Sequence, residues 1–300
     1  MGGGVCCLAA SSGTSDISGG SGSSGDVSDG GAAGALVTIV GAGPGAPDLL
    51  TLRGAAALAA CDAVVYDELG GEALLDAHVP RRAARHYAGK RGGRGQPGAP
   101  AQRSIEELLV ALATEGGGRR VVRLKGGDPA VFGRLGSELG ALRAAGIDVD
   151  IVPGVSTLTA GPLAAGFPLT AAAEGEAVPP PTFSVVTAHD AAKDDKWSTR
   201  GAVDSATLVL FMGARRLAQI CAALITGGWA PETPLAVVQW ATTPQQRVFL
   251  TSIGEAAVAP PGDGEPLSPA VIVVGDAVRL ADEEAARRSA AAAAMAAARE

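Results

Sequence analysis

The chain has 300 residues, 47% of them hydrophobic and 18% charged, with a formal net charge of -7; this is enough for a sizeable core and fits two domains better than one. Aromatic residues make up only 3% of the chain, so its cores must be built from Ala, Val and Leu, and little remains for the base stacking of single-stranded nucleic acid binders. The cysteines (Cys6, Cys7, Cys61, Cys221) and histidines (His78, His86, His189) lack metal-ligand spacing, and no apolar run reaches bilayer length; the expectation is a soluble, reduced, cytoplasmic protein with no metal and no nucleic acid or membrane partner.

Residues 1–35 are dominated by Gly and Ser and are expected to be a disordered tail. The first basic residue is Arg53, which argues against an Arg-rich transit peptide, plastid targeting being the alternative. A β-branched strand is expected at 36–40, then a Gly-Ala-Gly-Pro-Gly loop at 41–45 and a helix over 49–61. Strands at 63–66 and 120–124 alternate with helices at 104–114 and 137–145, the last ended by Gly146. Such alternation predicts an α/β domain over 36–152 with a mostly parallel sheet. A second α/β domain is expected over 153–281, with helices at 157–165 and 214–225 and strands at 183–187, 207–212, 235–239 and 270–274. The Pro179-Pro180-Pro181 run marks a loop, and the Ala-rich residues 282–300 are expected to be a helical tail.

Gly-x-Gly-Pro-Gly after a strand allows close approach of backbone to a ligand. It also describes an ordinary tight turn. A dinucleotide fingerprint opens directly into a helix, whereas Pro44 and Pro47 interrupt this turn and remove amides a pyrophosphate would use. A P-loop is ruled out as well, because Gly89-Lys90 is followed by Arg91 where Ser or Thr would hold magnesium.

Context carries more than the loop. VTIVGAGPGAPDLLTLRG at 37–54, DAVVYDEL at 62–69, YAGKRGGR at 87–94, VVRLKGGDPAVFGR at 121–134 and VPGVST at 152–157 occur in that order, followed by TLVLFMG at 207–213, PLAVVQWATTPQQRV at 234–248 and SPAVIVVGDAVRL at 268–280. Over roughly residues 37–280 the chain thereby resembles the uroporphyrinogen-III C-methyltransferases of the tetrapyrrole methylase family. VVRLKGGDPAVFGR is the most specific of these motifs; PGAPDLLT and VIVVG are plausible in many α/β proteins.

The resemblance implies a two-domain tetrapyrrole methylase fold, each domain a mostly parallel mixed sheet flanked by helices, with the cofactor in the cleft between them. It implies a homodimer that uses S-adenosylmethionine to methylate uroporphyrinogen III twice, giving precorrin-2 for siroheme or cobalamin. By position, Asp67 and Lys90 match the family's acid/base residues; taken alone, Asp67 reads as a helix cap and Lys90 as a solvated charge. Pro44, Gly126, Gly127, Asp128, Val131, Ser156, Thr157, Met212 and Ala241 match cofactor positions, and Met212 in isolation would be core filler.

A carboxylate-rich substrate calls for cations, and residues 81–134 hold twelve of the 24 Lys and Arg. Arg91, Arg94, Arg123, Lys125 and Arg134 are the substrate-binding candidates, Arg134 and Arg94 foremost. The chain departs from the family pattern at Ala46, Glu68, Leu135, Ser137, Ala171, Ala172 and Ala241. Rival readings are a sibling methyltransferase of the corrin pathway and a binding homologue without turnover. A bifunctional siroheme synthase is a third, for which the chain leaves no room for a dinucleotide domain.

Overall fold

A computed structural model describes residues 36–68, 71–89, 102–115, 118–170, 182–188 and 206–281. The expected tails at 1–35 and 282–300 and the triple-proline loop lie outside the described residues, as do Ala171 and Ala172.

Five strands build the first sheet: β1 (Leu36–Gly41), β2 (Ala63–Tyr66), β3 (Ala84–Tyr87), β4 (Arg120–Lys125) and β5 (Asp148–Val152), in the order β3-β2-β4-β1-β5. Every pairing is parallel, as expected for apolar strands joined through helices. One face, with Val40, Val64, Val122 and Leu124, is covered by α1 (Leu52–Ala60) and α2 (Glu72–His78) through Leu58, Leu74 and Leu75. On the other face, Val37, Ile39, Val65 and Val121 are covered by α3 (Gln102–Thr114) and α4 (Leu135–Ala144) through Ile105, Leu109 and Leu142.

The helix expected at 49–61 begins later. A 3-10 turn at Pro47–Leu49 comes first, and Thr51 caps α1 by accepting from the Gly54 amide at 3.1 Å. Two elements without a clear periodic signature, α2 and β3, complete this half. Ile151 and Val152, for which the sequence predicts no strand, close β5 at the sheet's edge.

The second sheet contains β6 (Phe183–Thr187), β7 (Thr207–Phe211), β8 (Pro234–Gln239), β9 (Arg247–Ser252) and β10 (Ala270–Gly275), in the order β6-β7-β10-β8-β9. Only β6 and β7 are parallel; β10 runs against both neighbours, and β8 against β9. The expectation of a mostly parallel sheet therefore holds for the first half and is corrected for the second. The connection at 240–246 shows why: a parallel return needs a crossover of about a dozen residues, whereas this short turn can only make a hairpin. Its return strand, β9, carries no clear strand signature because it is a half-exposed edge, with no fully buried residue along Arg247–Ser252. Helices α6 (Leu217–Thr226) and α7 (Ile253–Val258) cover one face of this sheet, and α5 (Thr157–Ala164) packs on the other against Val271. No helix among the described residues is long and apolar enough to cross a membrane.

Candidate active site

Strand order fixes where a ligand crevice opens. After β1 the chain turns to α1 on one face; after β4 it passes to α4 on the opposite face, and β1 and β4 are neighbours. Loops that leave adjacent parallel strands for opposite faces diverge at the strands' carboxyl ends and leave a crevice there. The glycine loop at 41–45 and the Gly126-Gly127-Asp128 turn flank it.

These two loops are bonded to each other. Ala42 N–H donates to the Lys125 carbonyl at 2.7 Å, Gly43 N–H to the Gly127 carbonyl at 3.2 Å, and Gly127 N–H to the Gly43 carbonyl at 2.8 Å. Gly43 and Gly127 reach this geometry with φ of +83° and +68°. A third loop, after β5, closes on them: a Cβ on Gly154 would lie 2.3 Å from the Gly127 carbonyl oxygen and 2.8 Å from Gly41 Cα. On its open side Gly127 is different, since a Cβ there would meet nothing within 4 Å.

Asp128 holds the junction together. Its Oδ1 accepts from the Ala130 amide at 2.7 Å and its Oδ2 from the Gly154 amide at 3.0 Å. The carboxylate assigned from sequence to a cofactor hydroxyl or ammonium is thus first a brace between loops. Ser156 likewise caps α5 through the Leu158 amide at 3.1 Å, and Thr157 is the first residue of that helix.

The second sheet reaches the same crevice with the loops after β7 and β8. Ala46 N–H donates to Thr242 Oγ1 at 3.1 Å, and the Phe132 and Phe211 ring centroids lie 5.4 Å apart. Met212 is 48% exposed, so it is not the core filler its residue type favours, while Ala241 is buried and Val131 half-buried. Phe132, Arg134, Met212, Trp240 and Thr242 have φ between +50° and +66°. Left-handed backbone at non-glycine residues costs on the order of 1–3 kcal/mol each and gathers at functional sites.

Behind the crevice lies a buried charge cluster. Arg123 and Lys125 alternate with Val122 and Leu124 along β4, so both point to the face covered by α4, from which Glu138 descends. Lys125 Nζ donates to both Glu138 oxygens at 2.9 and 2.8 Å, and Arg123 Nε approaches Oε1 at 3.4 Å. Arg123 Nη2 donates to Asp67 Oδ2 at 3.1 Å, leaving Asp67 Oδ1 buried without a partner among the described residues. Burial, reinforced by the Arg123 guanidinium, pushes the Lys125 ammonium below its ordinary value against the pull of Glu138.

The candidates from sequence therefore divide. Arg123 and Lys125 are 3% and 5% exposed and have their charges satisfied inside the protein, so their placement as substrate-carboxylate ligands is corrected to a structural one. Arg134 is exposed at the start of α4. Lys90, Arg91 and Arg94 lie outside the described residues. Glu138 was missed, although two cations two residues apart on an apolar strand call for a buried anion. Thr242 gave no signal in sequence.

A two-sheet α/β protein with a glycine-lined crevice at a strand-order reversal defines a class of small-molecule binding enzymes. Within that class, the family model for tetrapyrrole (corrin/porphyrin) methylases matches residues 36–257, and the chain belongs to that family. It is 41% identical over 244 residues to a uroporphyrinogen-III C-methyltransferase of Synechococcus elongatus, covering 81% of this chain and 94% of that one. A siroheme synthase of Azotobacter vinelandii is also 41% identical over 82% of this chain, but the match spans only 51% of the synthase. Among solved structures, the native uroporphyrin-III C-methyltransferase of Thermus thermophilus matches with a TM-score of 0.67 and 36% identity, covering 82% of this chain and 99% of that one. That enzyme complexed with S-adenyl homocysteine matches at 0.66 and 35% identity, with the same coverage.

Two outcomes follow for stability. Glu138→Ala strands two buried cations and is expected to lower unfolding free energy by about 3–5 kcal/mol, read from urea denaturation. Gly154→Ala forces a methyl against backbone and is expected to cost about 1–3 kcal/mol in the same measurement.

Proposed function

We propose that this chain transfers methyl groups from S-adenosylmethionine to ring carbons of uroporphyrinogen III, twice in succession, giving precorrin-2 for siroheme or cobalamin synthesis. The observation that carries this reading is the glycine-lined crevice, flanked by VVRLKGGDP, in a chain 41% identical over most of its length to a uroporphyrinogen-III C-methyltransferase. The residues present fit an S-adenosyl group. Gly127 leaves open space where a side chain would stand, and Met212 presents a half-exposed thioether at the carboxyl end of β7. Pro44, Gly126, Gly127, Val131, Thr157, Met212 and Ala241 are the residues assigned to hold it, with Asp128 and Ser156 shaping the loops.

When bound, the cofactor supplies a methyl group already activated by a positive sulfur, so orientation is the protein's main task and no metal is called for. Methylation makes that ring carbon quaternary and leaves the ring system cationic, so a proton must then be lost from elsewhere in the ring system. Asp67 is suited to take it: Arg123 anchors Oδ2 and leaves Oδ1 uncommitted. Lys90 is assigned as the matching acid or as a carboxylate ligand, and Arg134, Arg94 and Arg91 as cations for substrate carboxylates. The enzyme is read as a cytoplasmic homodimer.

The deciding measurement is an anaerobic assay of the purified chain with uroporphyrinogen III and S-adenosylmethionine. Product carrying two added methyl groups by mass spectrometry is expected, and absence of any methylated product sinks the proposal. Asp67→Asn is expected to lower kcat about a hundredfold or more while S-adenosylhomocysteine still binds.

A further inference from the structure

Thr242 is a β-branched residue at φ +66°. This is an outlier that persists only where its surroundings over-determine it. Its neighbours fix it through hydrogen bonds. Its N–H donates to Gln246 Oε1 at 2.7 Å, and Gln246 Nε2 donates in turn to the Ala164 carbonyl at the end of α5, at 3.1 Å. Thus held, the Thr242 hydroxyl sits where it accepts the Ala46 amide, from a residue 196 positions away in the chain.

That amide belongs to a loop with few donors. Pro44 and Pro47 have none, and Gly43 has given its own to Gly127. The loop is also pressed onto the second half: a Cβ on Gly45 would lie 2.4 Å from Thr243 Cγ2 and 3.2 Å from the Ala241 carbonyl oxygen. Residues 43–46 are therefore pinned at one end by the first sheet and at the other by a single hydroxyl from the second.

We infer that Thr242, oriented by Gln246, is a positioning residue that sets the glycine loop for the methyl donor by holding the Ala46 amide. This rests on the assignment of the crevice to S-adenosylmethionine. Losing the acceptor leaves a buried N–H without a partner and lets the loop drift, so the loss falls on cofactor binding and not on the chemical step.

The test is calorimetric titration of the full chain with S-adenosylhomocysteine, together with steady-state kinetics. Thr242→Val, which keeps shape and removes the acceptor, is expected to weaken binding about tenfold, with a matching rise in KM for S-adenosylmethionine and little change in kcat. Thr242→Ser, which restores the hydroxyl, is expected to bind within about threefold of the parent. Binding by Thr242→Val as tight as the parent overturns the inference, as does Thr242→Ser binding as weakly as Thr242→Val. If Thr242→Val does not fold, Gln246→Met decides in its place: weaker binding supports the relay and unchanged binding overturns it. Gly127→Val separates the two levels. Loss of binding there with none at Thr242 overturns the positioning role alone, whereas unchanged binding in both removes the cofactor assignment as well.

Discussion

The close approach of three backbones, at Gly41, Gly127 and Gly154, is the constraint on which the crevice depends. A methyl group at Gly41 or Gly154 would fall within 3 Å of another loop's backbone atoms, distances that carbon does not tolerate without displacement. The loops after β1, β4 and β5 can therefore share one junction only because Gly41 and Gly154 carry no side chain at the point of contact, where Gly127 contributes its carbonyl oxygen. Asp128 then ties that junction by accepting amides from two of its segments. Main-chain hydrogen bonds between Gly43 and Gly127 complete a floor made almost entirely of backbone.

Behind this floor the protein keeps two cations and two carboxylates out of water. Isolated charges would be costly there, and the arrangement is tolerated because Glu138 serves both Arg123 and Lys125. A consequence is that Asp67 has to satisfy only one guanidinium contact, through Oδ2. The carboxylate is thus held in place at the end of β2 through Oδ2, while Oδ1 is buried without a partner among the described residues.

How much of this was legible in the sequence depends on the range of the interaction. Short apolar, β-branched runs marked β1, β2, β4, β6, β7, β8 and β10, and the glycine loop marked where β1 turns toward the crevice. β3, β5 and β9 escaped because these edge strands are half-exposed and carry mixed residues: Ala84–Tyr87, Asp148–Val152 and Arg247–Ser252 have no continuous buried apolar side to betray them. The direction of the second sheet escaped because apolar strands read alike in either orientation. Among the candidate site residues, Gly127 and Met212 were named only through the motifs around them. Arg123 and Lys125 were misplaced, since a basic run on paper does not reveal which face of a strand a helix will cover. The Thr242–Ala46 bond was invisible, being a contact between distant segments with no local pattern to announce it.

The interval between β1 and α1 carries one more consequence. In nucleotide-binding α/β proteins the first helix begins at the glycine turn, and the positive end of its dipole faces a phosphate. Here a proline-led 3-10 turn intervenes, and α1 starts only at Leu52, its first amides met by Thr51. The crevice is spared that fixed positive potential. For a ligand whose reactive atom is itself a cation, its absence removes a repulsion, and the two prolines that disqualify the loop for pyrophosphate make it compatible with a sulfonium.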